Sequence, residues 1–411
     1  MKKTIFAAAT LAVATSGASA QSSVTLYGIV TGDIAVVNNA QSSATGNGGR
    51  PTGGRQVAIL DSGSSGVTSS RWGMTGNEDL GGGLSAIFQI ESGFNVNNGA
   101  ATQGGDIFGR YAFVGLNDPR FGTLTLGRQL DAQITFVSPL TYEWFGGNLT
   151  THPADYDNIN GTWRANNSIK YVSRKYNGFQ FGGLYSLGGV AGDVTQNQLW
   201  SVGASYTGGA FAIAASIFNA RDPNVSLRGV NGGASASANN FGSAGSATTP
   251  ESNPSIAGFA SATSQQTAAV AVTYTVGSAI LGVAYTNTQY RDFNAGAGST
   301  LNRLSYSGST NLSTFSASVR YQATPALRFG AGIDYTAGGN VNDSGGAKYT
   351  QFNLASGYSL SKRTDLYVTA AFQHASGVDS LGHRAVAQLG YLTPSSTDRQ
   401  LALSAGIQHK F

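Results

Sequence analysis

Gln400-Leu401-Ala402-Leu403-Ser404-Ala405-Gly406-Ile407-Gln408-His409-Lys410-Phe411 alternates residue by residue. In an extended chain Leu401, Leu403, Ala405, Ile407, His409 and Phe411 fall on one face. Gln400, Ala402, Ser404, Gly406, Gln408 and Lys410 fall on the other. Such a strand separates apolar surroundings from water, and here it ends on an aromatic residue.

The opposite end reads as an export signal. Lys2 and Lys3 are followed by the apolar run Ile5 to Val13 and by Ala18-Ser19-Ala20, a small-x-small cleavage pattern. Residues 1–20 are therefore expected to be removed, leaving one domain over 21–411 that starts at Gln21. Without Lys2 and Lys3 the chain carries 22 basic and 20 acidic residues, a net +2, too weak a field to favour nucleic acid.

The chain has no cysteine, so an exported fold of this size must be held by something other than disulfides. Past the signal its longest apolar stretch, Ala210 to Phe218, is broken by Ser216, far short of the roughly 20 residues of a membrane helix. A membrane β-barrel remains open, because each of its strands hides half its apolarity in alternation.

Connection lengths favour the barrel. Period-2 runs predict strands at 24–38, 67–79, 84–95, 107–117, 121–129, 164–176, 179–187, 197–207, 210–219, 266–276, 279–290, 311–322, 326–335, 347–360, 363–374 and 399–411. Tight turns are expected at 80–83, 118–120, 177–178, 208–209, 277–278, 323–325 and 361–362, and the other eight connections are long. An even number of strands with short turns at one end and long loops at the other predicts a 16-stranded antiparallel transmembrane β-barrel. Segments 39–66 and 220–265, rich in Gly, Ser, Asn and Ala, read as exposed loops.

Basic residues locate the watery face. Arg71 opposes Trp72 and Met74, and Arg110 opposes Tyr111 and Phe113; Arg164, Lys170 and Arg174 share one parity, with Ile169 and Tyr171 on the other. Arg128 is read as opposing Leu124 and Leu126 and is assigned to the same polar face. Arginine facing lipid near the midplane costs roughly 2–4 kcal/mol, so these side chains are expected in the lumen. Glu91 and Asp33 have inward parity.

Val24-Thr-Leu-Tyr-Gly28, Ser70-Arg-Trp-Gly-Met-Thr-Gly-Asn-Glu-Asp-Leu80, Gly109-Arg-Tyr-Ala-Phe-Val-Gly-Leu116, Phe121-Gly-Thr-Leu-Thr-Leu-Gly-Arg-Gln129, Asn167-Ser-Ile-Lys-Tyr171 and the terminal Phe411 occur in an order and spacing that resembles the general porins of Gram-negative bacteria, the β-proteobacterial branch in particular. The resemblance covers essentially all of the chain after the signal. It implies a homotrimer of outer-membrane barrels, each a water-filled channel for passive diffusion of ions and small hydrophilic solutes, with no cofactor. It also implies contact with membrane lipid and lipopolysaccharide, and presentation of Phe411 to the barrel assembly machinery.

The segment from Leu130 to Trp163 follows the fifth strand, where the family folds its third loop into the lumen. Tyr142-Glu-Trp-Phe-Gly-Gly-Asn148 resembles the tip of that loop. Trp144 and Phe145 can anchor it to the wall, and Glu143 is expected to face the arginines. The resemblance places Arg71, Arg110 and Arg164 at the constriction, with Arg128, Lys170 and Arg174 as companions. Asn148 and Ile29 stand where enterobacterial relatives have an aspartate and a lysine, one charge of each sign. Asp131, Asp155 and Asp157 also lie on the loop, so the expected anion preference is weak.

Two other functions are weighed. A membrane-embedded hydrolase needs a convergent histidine, for which only His383 has neighbouring Ser380 and Asp379; His152, His374 and His409 are scattered. An adhesin or receptor barrel would use 39–66 and 220–265 as its binding surfaces.

Overall fold

The structure is a computed structural model that describes residues 23–43, 50–61, 68–226, 253–293, 302, 305–340 and 345–411. The signal expected at 1–20 lies outside the described residues.

Among the described residues, seventeen strand segments form one closed antiparallel sheet. They are β1 (Ser23–Ser43), β2 (Thr52–Asp61), β3 (Arg71–Gly81), β4 (Leu84–Gly93), β5 (Tyr111–Asp118), β6 (Gly122–Gln129), β7 (Ala165–Ser173), β8 (Phe179–Ser186) and β9 (Leu199–Gly208). There follow β10 (Phe211–Arg221), β11 (Ala262–Val276), β12 (Ala279–Phe293), β13 (Thr310–Gln322), β14 (Leu327–Gly338), β15 (Lys348–Ser359), β16 (Thr364–Ser376) and β17 (Arg399–Lys410). β2 and β3 lie end to end along one edge of β1: Gly32 pairs with Asp61 and Ile29 with Arg71. They share one place in the wall, so the barrel has sixteen staves. β1 closes it against β17, with Ile29 opposite Lys410 and Val37 opposite Ala402.

Each backbone amide in lipid needs a partner, and only a closed ring of strands gives every stave two neighbours. Closure leaves one face outward. Val24, Leu26, Val114, Leu124, Leu126, Val283, Phe315, Leu354, Leu401, Leu403 and Ile407 are all exposed on it, while Thr125, Ser168, Ser201, Thr286, Thr314, Ala402 and Ser404 are buried on the inner face. Apolar exposure on this scale fits lipid and not water.

The expected tight turns are present. Asn177 and Gly178 have φ of +50° and +88°, the two left-handed residues that let a two-residue hairpin match the twist of its strands. Two expected loops are corrected. Residues 39–66 are not all loop, because β1 runs on to Ser43 and pairs with β2, where Ala40 faces Gly54; residues 44–49 and 62–67 lie outside the described residues. The ends of 220–265 are not exposed either: Ile256, Ala257 and Phe259 are buried against Tyr290, Phe293 and Tyr306. Small residues hid both, since glycine and serine are compatible with strand and loop alike.

At the seam Gly28 and Phe411 exchange backbone hydrogen bonds of 3.1 and 3.0 Å. The Phe411 ring lies over Gly28 so closely that a Cβ there would stand 2.2 Å from Cζ. Gly28→Leu is therefore expected to displace the ring and to lower the yield of folded barrel, as deletion of Phe411 is also expected to do. Heat-modifiable electrophoretic mobility of the protein made in cells measures that yield, and a normal yield for both variants would contradict the expectation.

Candidate pore constriction

The third loop runs along the inner wall. Asp131 caps its first helix, α1 (Ala132–Phe136), accepting from the backbone amides of Gln133 at 2.7 Å and Ile134 at 3.2 Å. The loop then meets successive staves from the inside. Ala132 N donates to Ser201 Oγ on β9 (3.0 Å), and Gln265 on β11 donates to Tyr156 O (2.9 Å). Tyr156 Oη bonds Thr314 Oγ1 on β13 (2.6 Å), and Gln351 on β15 donates to Thr151 O (3.5 Å).

Packing depends on glycines in the wall. A Cβ on Gly203 would stand 2.8 Å from the Phe136 ring, and one on Gly330 would stand 2.3 Å from the Phe145 ring. Gly332 likewise leaves room for Tyr142, 3.0 Å from where its Cβ would be. Of the two aromatic residues expected as anchors, Phe145 takes this role with Tyr142, whereas Trp144 is 61% exposed and borders open space.

That space is a cavity of about 910 Å³ between the loop and the wall, reached by residues of β1, β3, β4, β5, β7, β14, β16 and β17. Arg71, Arg110, Arg164, Lys170, Arg328 and Lys410 line it, with Glu91, Glu143 and Asp365. Glu91, on β4, is the acid that meets the arginines: Oε1 is 2.6 Å from Arg110 Nε, and Oε2 is 3.7 Å from Arg71 Nε and accepts from Tyr27 Oη at 2.8 Å. Asp365 lies 3.4 Å from Arg328 and 3.6 Å from Lys410.

Several expected placements are corrected. Glu143 borders the cavity, but its carboxylate does not oppose the arginines; it is buried, with Oε1 3.0 Å from His152 Nε2. Tyr111 and Phe113 do not oppose the lumen: Tyr111 lines the cavity, and Val114 and Leu116 point outward. Arg110 and Arg164 reach the cavity from positions just before β5 and β7 begin, where strand alternation no longer governs. Arg128 shares the parity of outward-facing Leu124 and Leu126, and its guanidinium is held by Gly109 O and Asn166 Oδ1, off the cavity lining. Arg174 stacks on Tyr176 (4.6 Å) beside the short turn, after the register slips by one residue between Val172 opposite Gly182 and Tyr176 opposite Phe179. Lys170 is inward as expected, but its ammonium tethers the loop, donating to Leu130 O and Thr135 Oγ1 at 2.8 Å each.

The loop aspartates serve the loop and its seat on the wall. Asp155 accepts from Asn160 N, Thr162 N and Thr162 Oγ1, and burial with Asp157 nearby pushes its carboxyl up to about 7. Asp157 bonds His152 Nδ1 (2.7 Å) and Thr286 Oγ1 (2.5 Å). Burial disfavours the His152 imidazolium, but Asp157 and Glu143 outweigh it and hold the ring well above its ordinary value. In the outer loop Ser380 Oγ donates to Pro254 O (2.7 Å), and Asp379 accepts the His383 backbone amide (3.0 Å). Arg328, Lys410 and Asp365 were not singled out from the sequence, although the alternation of the last strand already put Lys410 on the watery face.

Residues 7–307 match the family model described as Gram-negative porin. The chain is 38% identical over 188 residues to an outer membrane porin protein of Bordetella pertussis, covering 46% of this chain and 48% of that one. It is 35% identical over 200 residues to outer membrane porin protein 32 of Delftia acidovorans, covering 46% and 50%. The matches thus span about half the length of these curated relatives. In fold it resembles an anion-selective porin from Comamonas acidovorans, with a TM-score of 0.66 at 21% identity, covering 95% of this chain and all of the other. It also resembles OmpT, an outer membrane protein of Vibrio cholerae, with a TM-score of 0.60 at 14% identity, covering 95% and 98%.

Gly330→Leu is expected to expel the Phe145 ring from its seat and release the loop tip. Overpacking of this kind costs about 1–3 kcal/mol, and hydrogen exchange should rise over 142–150 while the strands stay protected. Unchanged exchange at the tip would show that the seat does not hold the loop.

Proposed function

The chain belongs to the Gram-negative porin family of the outer membrane, and from that premise we propose that it forms a water-filled, weakly anion-selective channel for passive diffusion of ions and small hydrophilic solutes. The observation that carries this reading is the charge of the cavity: six cations and three carboxylates line it, a surplus of three positive charges. Glu143 is turned to His152, and Asp131, Asp155 and Asp157 are buried in bonds within the loop and to the wall, so these loop acids do not face the opening. The fold neighbour from Comamonas acidovorans is itself titled anion-selective, in keeping with this sign.

The mechanism requires no bond to be broken. Arg71, Arg110 and Arg164 form the cationic wall of the waist, and the loop tip with Trp144 and Asn148 forms the other side. Fixed charges beside a narrow aqueous path select hydrated solutes by size and sign. Glu91 moderates the repulsion among the arginines and sets how much of their field reaches a passing ion.

Selectivity variants in planar bilayers test the assignment. Arg110→Ser should shift the reversal potential toward cations and Glu91→Gln toward anions. Each shift corresponds to about 1 kcal/mol in an ion's barrier, a few-fold in permeability ratio. Glu143→Gln should shift it far less. If Glu143→Gln moves the potential as much as Glu91→Gln, the waist is lined differently.

Assembly follows from the same reading. One solved form of the Vibrio cholerae neighbour is titled a trimer, and the outward residues Val30 and Gly32 on β1 suit close packing against another copy, whereas Gly28 is covered by the Phe411 ring. Crosslinking in mild detergent should give trimers; monomers alone would overturn the homotrimer.

A further inference from the structure

Away from the arginines, the loop and the far wall meet at a buried cluster that permeation does not use. His152 sits at its centre. Asp157 Oδ2 is 2.7 Å from Nδ1, while Glu143 Oε1 (3.0 Å), Ser316 Oγ (3.1 Å) and Asp334 Oδ1 (3.7 Å) converge on Nε2. All four titratable side chains are at most 4% exposed. Three carboxylates face one imidazole, so even a charged ring leaves two negative charges in a dry place, and Arg320 is the guanidinium that feels the field of Glu143. Asn353 donates to Asp334 Oδ2 at 2.6 Å and fixes that carboxylate.

A second observation points to a missing cation. Glu143 Oε2 is fully buried with no hydrogen-bond partner, and so is the adjacent Tyr142 hydroxyl, while Glu143 Oε1 meets only His152 Nε2. A buried carboxylate in that state is costly unless a cation meets it.

We propose that Glu143, His152 and Asp334 form a site for a divalent transition cation of the zinc class, which staples the third loop to β14. One ligand atom from each residue lies within 4.8 Å of the others. Ligands bound to zinc at about 2.0–2.1 Å in tetrahedral geometry stand roughly 3.3 Å apart, and the 3.0, 3.1 and 3.7 Å separations about Nε2 bracket that value. Zinc displaces the Nε2 proton of His152 to water and takes the freed lone pair, the Glu143 and Asp334 carboxylates are its oxygen ligands, and Ser316 Oγ, 3.1 Å from Nε2, is near enough to serve as a fourth. Asp157, on Nδ1, plays the orienting carboxylate that metal-bound histidines commonly have. The site depends only on residues from the loop and the far wall, and it goes beyond the channel reading.

Folded protein stripped with a chelator, equilibrated with zinc chloride and freed of excess gives the test by elemental analysis, with no conductance measurement involved. The expected content is one zinc per chain, lost in Glu143→Gln and His152→Asn and retained in His374→Asn, which alters a surface histidine. Asp157→Asn should weaken zinc by about 10- to 100-fold. Zinc should raise the unfolding temperature of the native protein and not that of Glu143→Gln, whose folding is checked by heat-modifiable mobility. No zinc in the folded native protein, or equal zinc in folded Glu143→Gln, would overturn the proposal.

Discussion

A strand in hydrocarbon has no water to satisfy its edge, so the pairing of β1 with β17 is the constraint on which everything else in this molecule rests. Once the ring is closed, alternation does two tasks at once. It turns Leu, Val and Phe outward to lipid and leaves the inner face to Thr, Ser, Gln and charged residues. Phe411 completes the seam, its backbone paired with Gly28 and its ring laid over the same glycine.

Closure also creates a problem, because sixteen staves enclose more space than their side chains fill. The third loop supplies the filling on one side only. Its apolar residues Phe136, Val137 and Ile159 pack on the small wall residues Ala214, Ala269 and Ala271, and its aromatic tip seats on Gly330 and Gly332. The barrel's core is therefore largely loop against wall. The cavity opposite stays open, and it is the face where the cations collect. Position in the fold, more than the number of charges in the chain, gives the lumen its sign: the net charge of the whole chain is only +4, signal included.

Alternation made the fold legible, because it persists through twelve to fifteen residues in strands such as β11, β12 and β17 and is punctuated by glycine turns. Where it breaks, the sequence reading erred. Asn167, with φ of +48°, sits in a bulge between the pairs Gly127–Ser168 and Gln129–Ala165, so parity before and after it differs. Arg164 lines the cavity, but it gets there from the loop end and not by strand parity. Glu143 was found by its motif and given the wrong partner, since the direction of a loop side chain has no period to read. Glu91, whose inward parity was plain, proved to be the acid beside Arg110 and Arg71.

The most direct measurement of the central claim, that the folded loop leaves a cavity with surplus positive charge as the narrowest part of the path, is the zero-current potential of the native protein across a potassium chloride gradient. Chloride should be the more permeant ion, and the preference should fade as salt is raised and the fixed charges are screened over a shorter distance. A preference for potassium at low salt would contradict the account.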